Sequence, residues 1–382
     1  MSRIKIVIDD KIPFIKGVLE AYADVSYASG FECAREARQA DALIIRTRTR
    51  CDEASLQNAS VKFIATSTIG FDHIDAEWCE NNNITWVNAP GCNAGSVRQY
   101  MAAVLATLAA RRNLHFSGTT LGVVGAGNVG GKVAQLGREL GMNVLLNDPP
   151  RARKEGGDAF VTLEEILGQS DIVSLHVPLN RTGEDRTFHL FDEAMLRKMR
   201  PGAILVNSSR GEVVKNDALK NALKNERPNA AVLDVWEREP DVDRELLPLL
   251  ELATPHIAGY STDGKANGIA MSVQALSRFF QLPPENWRPA NLPAPRQPLR
   301  FKLDGYGKTQ QQCICEAILH TYPIEDDDRR LRESPETFEK QRGDYPVRRE
   351  FEAYAVEAKN VSPETQRQLK ALGFHLDYLE SI

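Results

Sequence analysis

Three polar residues each follow an apolar stretch of the sequence: Arg210 in ILVNSSRGEVV, Glu239 in VLDVWEREP and His256 in ATPHIAGY. A neutral histidine can remove a hydroxyl proton near pH 7, and a nearby carboxylate can orient the imidazole and favour its protonated form. A guanidinium can bind a carboxylate through two hydrogen bonds. Such a set could remove the hydroxyl proton of a 2-hydroxy acid while a hydride leaves the same carbon.

The apolar stretches before these residues are typical of buried parallel strands, at residues 203–207, 230–233 and 252–254. Helical patterns alternate with them, as in a parallel α/β sheet. Ligands bind such sheets outside the carboxyl ends of the strands. We therefore expect Arg210, Glu239 and His256 to meet at one crevice as catalytic residues.

The stretch LGVVGAGNVGGKVAQLGRELGMNVLLND, residues 121–148, predicts a strand, a glycine turn, a helix and a second strand. Its glycines have the G-x-G-x-x-G spacing of a dinucleotide fold, in which they allow a tight turn, close approach of a pyrophosphate and close helix packing. The predicted cofactor contacts here are Gly125, Gly127, Asn128, Val129, Gly130 and Asp148. A glycine turn that binds no nucleotide is the alternative.

Asp148 follows the second strand, where an acid can bind both ribose hydroxyls of NAD. A 2'-phosphate would meet a like charge there, which favours NAD over NADP. Arg151 and Arg153 lie close in sequence and keep NADP open.

The alternation of strands and helices predicts an α/β fold with three parts. We expect a Rossmann-type parallel-sheet domain at 97–260, a flavodoxin-like α/β domain formed by 1–96 and 261–285, and a small C-terminal α/β domain at 286–382. The proline-dense stretch 282–298 is typical of a linker. Within the first domain, Ile15–Tyr22 is predicted as a helix. In the last, Phe351–Val356 is predicted as a strand.

The loop TRTRCDE follows the predicted strand ALIIR, and three arginines occupy alternating positions there: Arg46 at the end of the strand, and Arg48 and Arg50 in the loop. In an extended segment these side chains would share one side, and Thr47 would add a hydroxyl. Guanidinium groups suit phosphate because they form paired hydrogen bonds. We predict a phosphate contact through Arg46 and Arg48, with a solvated loop as the alternative.

Composition excludes several other classes. The net charge of -5 and pI near 5.9 argue against a nucleic-acid partner. The longest apolar run, Met101–Ala110, is too short to cross a bilayer. The N-terminal residues lack an apolar leader, so we expect a cytoplasmic protein.

The six cysteines lack zinc spacing, so we expect reduced thiols and no metal. The acidic run Glu325–Asp328 is interpreted as a solvated surface. The sequence offers no obvious partner for four other histidines, which we interpret as structural or surface residues: His73, His115, His176 and His189.

Over nearly all of residues 40–270 the glycine frame and the Arg, Glu and His phrases resemble the D-isomer-specific 2-hydroxyacid dehydrogenases. The resemblance implies NAD-dependent oxidation of a CH–OH group, with Arg210 and Glu239 catalytic and His256 accepting the proton. It places Asp148, Val177, Asp234 and Gly259 at cofactor positions, and Thr47, Thr68 and Tyr260 at substrate positions.

The phrases APGCNA, DPPR and PHIAGYSTDGKANG, with the extra C-terminal segment, resemble members that act on a small phosphorylated 2-hydroxy acid. In those members the C-terminal domain forms a homodimer and the first domain is a lid over the substrate. The sequence departs from the family where it has Gln99 instead of the usual Glu, Lys215 instead of a frequent Asp, and Thr47 instead of a frequent Ser. We interpret these departures as peripheral to catalysis.

Two alternative functions stay open at this stage. The chain could be a 3-phosphoglycerate dehydrogenase or another D-2-hydroxyacid dehydrogenase. It could also be an NAD-sensing dimer like the corepressors that reuse this fold.

Overall fold

The computed structural model describes residues 3–377, which form two compact units. One unit contains Met1–Asn93 and Ser261–Pro293. The other contains Ala94–Tyr260 and Ala294–Ile382. None of the helices among the described residues has the length and hydropathy needed to cross a membrane.

The first segment contains the strands β1 (Lys5–Asp9), β2 (Asp24–Ala28), β3 (Ala42–Ile45), β4 (Phe63–Thr66) and β5 (Thr85–Val87), and the helices α1 (Cys33–Glu36), α2 (Glu53–Leu56) and α3 (Ala76–Asn81). The middle segment contains α4 (Ala94–Arg112), β6 (Thr120–Val124), α5 (Asn128–Glu139), β7 (Asn143–Asn147), α6 (Pro149–Glu155), α7 (Leu163–Gln169), β8 (Ile172–Leu175), α8 (Glu193–Lys198), β9 (Ile204–Asn207), α9 (Asn216–Lys224), β10 (Ala230–Leu233) and β11 (Leu252–Ala253). The last segment contains α10 (Thr262–Phe280), β12 (Arg300–Asp304), α11 (Gln310–Thr321), α12 (Ile324–Glu333), α13 (Phe338–Gly343), β13 (Ala355–Lys359), α14 (Pro363–Leu372) and β14 (His375–Asp377).

The unit formed by β1–β5 and α10 contains a parallel sheet in the order β2-β1-β3-β4-β5. This is the flavodoxin-like order expected from the sequence. Successive side chains of β1 point to opposite faces, so Ile6 and Ile8 pack in the core that includes Val273 of α10. Val7 packs in a second core with Cys33 of α1.

The predicted helix at Ile15–Tyr22 is wrong, because this stretch forms a series of turns. Gly17 has a φ of 85°, which a right-handed helix cannot include. The Glu20 carboxylate accepts hydrogen bonds from the Gly17 and Leu19 N–H groups. Ile15 and Leu19 are buried as a helical face would be, but the backbone between them is not helical.

The second unit contains a parallel six-stranded sheet in the order β11-β10-β9-β8-β6-β7. The order of the strands reverses between β6 and β8, which is the point where such sheets bind ligands. Helix α4 begins at Ala94, and Ser96 lies inside this helix. The Rossmann-type parallel sheet expected from the sequence is confirmed.

A smaller parallel sheet, in the order β12-β13-β14, belongs to the same unit. Helix α11 packs along α4, and the apolar residues of both helices share one core. The predicted strand at Phe351–Val356 begins later, at Ala355, because Phe351–Ala353 forms a 3-10 turn. The three-part domain division remains a prediction.

The acidic run in α12 is solvated only in its first half, at Glu325 and Asp326, whose side chains are 59% and 48% exposed. Asp327 and Asp328 are only 3% and 8% exposed. Asp328 accepts hydrogen bonds from the Ala253 N–H at 2.7 Å and from Arg332, and Asp327 accepts one from the Tyr322 hydroxyl. The Ala253 N–H lies 75 residues from Asp328 in sequence, so composition alone could not identify this partner.

Gly130 and Gly131 in α5 provide a matched test of the glycine turn. A Cβ at Gly130 would lie 1.8 Å from the Gly125 carbonyl oxygen, whereas the nearest atom to a Cβ at Gly131 lies 3.7 Å away. Gly130→Ala should therefore lower the free energy of unfolding by about 1–3 kcal/mol. Gly131→Ala should raise it by up to about 1 kcal/mol. Urea unfolding measures both, and equal effects would refute the close packing of α5 on the turn.

Candidate active site

The three predicted catalytic residues follow three neighbouring strands of the second unit. Arg210 lies after β9, Glu239 after β10 and His256 after β11. Because these strands are parallel and adjacent, their following loops leave the same edge of the sheet. The structure brings the histidine and the glutamate into direct contact, and their catalytic roles remain predictions.

His256 and Glu239 form a hydrogen-bonded pair. The distance from His256 Nδ1 to Glu239 Oε2 is 2.7 Å, and the Trp236 N–H donates to Glu239 Oε1 at 2.9 Å. The carboxylate accepts, so Nδ1 carries the hydrogen and Nε2 is the ring atom able to accept a proton. The two side chains are 31% and 22% exposed, so a small substrate can reach them.

The pKa of Glu239 lies below its ordinary value. Burial alone raises the pKa of this carboxyl, but the hydrogen bond and charge of His256, the Trp236 N–H and the charge of Arg342 outweigh burial. Glu239 therefore remains a carboxylate at neutral pH. An ionised partner stabilises an imidazolium ion, which is the form that His256 takes after accepting a proton.

The backbone at His256 is left-handed, with a φ of 55°. This conformation costs roughly 1–3 kcal/mol in a non-glycine residue and persists only where surrounding contacts require it. The His256 N–H donates to the Asp234 carbonyl oxygen at 2.6 Å. The buried Asp234 carboxylate accepts from the N–H groups of Ile257 at 2.8 Å and Ala258 at 2.9 Å.

The Thr254 hydroxyl also donates to the Asp234 carboxylate, at 2.6 Å. Asp234 is 1% exposed. Its carboxylate contacts residues on both sides of His256: the Thr254 side chain before it, and the backbone of Ile257 and Ala258 after it. Its predicted cofactor contact remains a prediction, and its contacts in the structure position the histidine.

The loop that carries Arg210 touches the loop that carries Glu239. A Cβ at Gly211 would lie 2.0 Å from the Trp236 carbonyl, so only glycine allows the two backbones to approach this closely. The Asn207 side-chain amide donates to the Arg210 carbonyl oxygen at 2.9 Å and fixes the start of the loop. Arg210 is half-buried, and one of its terminal nitrogens donates to the Ser209 carbonyl oxygen at 2.9 Å.

The glycine turn after β6 has the shape that a dinucleotide requires. Gly125 has a φ of 86°, and a Cβ there would lie 2.6 Å from the His176 carbonyl oxygen and 2.8 Å from the Val177 side chain. A Cβ at Gly127 would meet no atom within 4 Å, so this side of the turn is open. Helix α5 begins at the next residue, and its first N–H groups suit a pyrophosphate. These residues fit NAD.

Asp148 lies at the end of β7, as predicted for the residue that binds ribose hydroxyls. Its carboxylate accepts from the Ala126 N–H at 2.8 Å and from the Arg151 N–H at 3.1 Å. The Arg151 guanidinium pairs with Glu155 at 2.7 Å, and that of Arg153 pairs with Asp185 at 2.5 Å. Both arginines thus already bind carboxylates, which favours NAD over NADP at this position.

The arginine loop after β3 is not extended, so the expected shared face of Arg46, Arg48 and Arg50 is wrong. The Thr49 N–H donates to the Arg46 carbonyl oxygen at 3.2 Å, which closes a turn. Arg46 donates to the Lys11 carbonyl oxygen at 3.2 Å, and Arg50 pairs with Asp52 at 2.5 Å. Alternation in sequence places side chains on one side only in a strand, and a turn breaks that rule.

Two predicted substrate residues lie in the same unit as this loop. Thr47 is exposed, and Thr68 is half-buried and donates to the Gly70 carbonyl oxygen at 2.9 Å. Their substrate contacts, like those of Arg46 and Arg48, remain predictions.

Gly259 and Tyr260 end the loop that begins at His256. The Tyr260 ring packs edge-on against Tyr345, with 5.9 Å between ring centroids, and the Arg342 guanidinium lies 5.6 Å from the Tyr260 ring centroid. Tyr345 and Arg342 belong to the C-terminal segment, by which we mean the described residues 294–377 of the second unit. Sequence analysis did not identify them, because no motif marks a side chain that acts about 80 residues away.

A second histidine–carboxylate pair also escaped sequence analysis. His189 Nε2 lies 2.5 Å from Glu237 Oε1, and the other oxygen of Glu237 accepts from the Asn216 N–H at 3.0 Å. This pair connects three loops and is compatible with the structural role expected for His189. Burial lowers the pKa of His73 to about 4, so that histidine is uncharged at neutral pH. Among the described residues, no group of His, Cys, Asp and Glu has metal-site geometry.

Comparison with known proteins identifies the family. A model for the NAD-binding domain of D-isomer-specific 2-hydroxyacid dehydrogenases matches residues 96–258, and a model described as a domain of unknown function matches residues 296–373. Erythronate-4-phosphate dehydrogenase from Bacteroides thetaiotaomicron is 48% identical over 92% of this chain and 99% of its own length. The Pseudomonas entomophila enzyme of that name is 41% identical over 97% of this chain and 98% of its own length.

The chain belongs to the erythronate-4-phosphate dehydrogenase family.

Solved structures of the wider family agree with this assignment. D-lactate dehydrogenase from Aquifex aeolicus, determined with NAD and lactic acid, is 26% identical, has a TM-score of 0.60 and covers 72% of this chain and 95% of its own. D-mandelate dehydrogenase from Rhodotorula graminis is 24% identical and has a TM-score of 0.64, covering 77% of this chain and 100% of its own. The second likeness shows the shared fold. The chain is thus an NAD-dependent 2-hydroxyacid dehydrogenase.

The two histidine–glutamate pairs allow a matched test of the catalytic assignment. His256→Gln should lower kcat by about 100-fold to 10,000-fold, because the proton acceptor is lost. His189→Gln should leave kcat within about threefold of the wild type, because its pair only connects loops. Steady-state NADH formation measures both variants. A larger loss in His189→Gln than in His256→Gln would reverse the assignment.

Proposed function

We propose that the chain oxidises 4-phospho-D-erythronate to 2-oxo-3-hydroxy-4-phosphobutanoate with NAD⁺, as a step in the biosynthesis of pyridoxal 5'-phosphate, vitamin B6. The observation that carries the proposal is the Glu239–His256 pair at the carboxyl end of the sheet. The full-length similarity to enzymes named erythronate-4-phosphate dehydrogenase supports the choice of substrate.

The reaction removes a proton and a hydride from the same CH–OH group. His256 Nε2 accepts the hydroxyl proton, and the Glu239 carboxylate holds the imidazole through Nδ1 and stabilises the imidazolium ion. Arg210 binds the substrate carboxylate and the oxygen that becomes the carbonyl. NAD⁺, when bound, accepts the hydride from that carbon.

The cofactor site consists of the glycine turn, the start of α5 and the loops beside it. Asp148 would bind the ribose hydroxyls. The other residues assigned to the cofactor are Gly125, Gly127, Asn128, Val129, Gly130, Val177, Asp234 and Gly259. Asp234 would serve the cofactor while its carboxylate keeps the His256 loop in place.

The substrate residues are assigned by their chemistry. Thr47, Thr68 and Tyr260 offer hydroxyl groups to a polyhydroxy acid, and Arg46 and Arg48 offer guanidinium groups to its phosphate. Both arginines lie within the hydrogen-bonded turn that runs from Arg46 to Thr49. Thr47 retains the hydroxyl of the serine frequent in the family.

We assign the C-terminal residues 286–382 to a homodimer contact. Tyr306, after β12, is 83% exposed, which is unusual for a large aromatic side chain and typical of an interface. Sedimentation velocity of the wild type and Tyr306→Glu tests this assignment. A monomeric wild type would refute it.

Steady-state NADH formation from 4-phospho-D-erythronate and from 3-phosphoglycerate tests the proposed function. We expect kcat/KM for phosphoerythronate to exceed that for phosphoglycerate by at least about 100-fold, since four-carbon recognition adds one hydroxyl contact to a polar site. Activity on both substrates no higher than that of His256→Gln would refute the proposed oxidation. A preference for phosphoglycerate would change the substrate and retain the reaction.

The phosphate assignment has its own test. Arg46→Ala or Arg48→Ala should raise KM for phosphoerythronate by about 10-fold to 100-fold, because a charge-assisted hydrogen bond contributes roughly 1.5–3 kcal/mol. KM for unphosphorylated erythronate should change far less. Arg50→Ala is the control, because Arg50 pairs with Asp52 on the same loop. Equal changes for both substrates would refute the phosphate role.

A further inference from the structure

A fully buried arginine of the C-terminal segment contacts the backbone that follows His256. Arg348 is 4% exposed, and its guanidinium donates to the carbonyl oxygens of Ala258 at 2.6 Å and Ile257 at 3.2 Å. The same nitrogen donates to the Ser96 hydroxyl at 2.5 Å, and that hydroxyl donates to the Ala258 carbonyl oxygen at 2.8 Å. Arg348 therefore binds the carbonyl oxygens of the two residues, Ile257 and Ala258, whose N–H groups bind Asp234.

A second arginine of this segment contacts Tyr260, at the end of the loop that carries His256. The Arg342 guanidinium is placed over the Tyr260 ring, and its charge is one cause of the lowered pKa of Glu239. Arg342 Nη1 donates to Glu339 at 2.8 Å, and the side chain is 20% exposed. Glu239 interacts electrostatically with His256 and Arg342, and Arg342 interacts with Tyr260, Glu339 and Glu239.

The C-terminal segment is attached to the dinucleotide-binding half through α4. The Gln99 amide nitrogen donates to the Arg349 carbonyl oxygen at 2.8 Å and to the Thr321 hydroxyl at 3.0 Å. Arg98 donates to the Leu372 carbonyl oxygen at 2.9 Å. Gln99 is fully buried, and a glutamate there could not donate to a carbonyl oxygen. The departure from the usual family residue is therefore part of this attachment.

We propose that the C-terminal segment positions the active site of its own chain: Arg348 holds the backbone after His256, and Arg342 holds Tyr260 at the end of the same loop. Both are positioning residues, because they act through other groups and need not touch the substrate. The inference rests on the proposed oxidation. It assigns a role to the region that matches a domain of unknown function.

The direction in which the charge of Arg342 affects the protonation of His256 can be predicted. The positive charge of Arg342, which lowers the pKa of Glu239, also weakens the field with which this carboxylate stabilises the imidazolium ion. Removing the cation should therefore make protonated His256 more stable. Because oxidation needs neutral His256, the fall in rate at low pH should then begin at a higher pH.

The test compares Arg342→Met, which keeps the apolar stem, with Arg342→Lys, which keeps the charge. In the full-length enzyme, Arg342→Met should move the acid limb of kcat/KM upward by about half a pH unit and raise KM for phosphoerythronate about fivefold. Arg342→Lys should restore the position of the limb. Arg367→Met is the matched control, since Arg367 is 72% exposed in the same segment and pairs with Glu364.

Each outcome decides the inference. If Arg342→Met matches Arg367→Met in kcat, KM and acid limb, the inference is wrong. The inference is also wrong if the activity of Arg342→Met falls only in proportion to the loss of folded protein, and if Arg342→Lys does not restore the acid limb of the pH profile to its wild-type position. Arg348→Lys tests the role of Arg348. We expect this variant to have a lower kcat at saturating substrate, measured on the protein that remains folded. An inactive wild type would refute the proposed function itself, which separates the two failures.

Discussion

The geometry of the candidate active site depends on one buried carboxylate. Asp234 accepts hydrogen bonds from the two peptides after His256, and its own carbonyl oxygen accepts one from the histidine N–H. These contacts hold His256 in a left-handed conformation that an isolated histidine would avoid. The conformation accompanies the contact of Nδ1 with Glu239, so the orientation of Nε2, the proposed proton acceptor, is set before substrate binds.

A second charged residue, Arg348, also holds the loop after His256, and it comes from a distant part of the chain. Arg348 binds the carbonyl oxygens of the same two residues whose N–H groups bind Asp234, so charged side chains satisfy both the donors and the acceptors of this loop. A buried guanidinium is costly unless its hydrogen bonds and neighbours compensate. Here the Ser96 hydroxyl and the Tyr322 ring, 4.4 Å from the guanidinium, contribute to that compensation. The loop of His256 is thereby tied to both α4 and the C-terminal segment.

The sequence predicted the features that are encoded locally. The glycine spacing, the acid at Asp148 and the polar residues after three apolar strands all depend on neighbours within a few residues or on a regular strand order. These rules led to the Glu239–His256 contact, which the structure contains. The flavodoxin-like and Rossmann-type sheets followed from the alternation of strands and helices.

The features that sequence reasoning missed depend on distant partners or on turns. Asp328 is buried because it accepts from an edge strand 75 residues away, and His189 meets Glu237 across 48 residues. Periodicity shows which face of a helix is apolar, but it does not show which charged group another element supplies. The prediction that the loop arginines share one face was wrong for a different reason. A hydrogen-bonded turn at Arg46–Thr49 replaces the extended backbone in which alternate side chains point the same way.

The central claim is that ionised Glu239 holds neutral His256 as the proton acceptor. The most direct measurement is the pH dependence of single-turnover hydride transfer in the wild type and in Glu239→Gln. Because the pKa of Glu239 is lowered, its carboxylate stays charged across about pH 5 to 8, and the acid limb should report protonation of His256. We predict that Glu239→Gln slows hydride transfer and moves this limb to lower pH, since the imidazolium ion loses its stabilising charge. An unchanged limb, or a rate independent of pH in the wild type, would contradict the account.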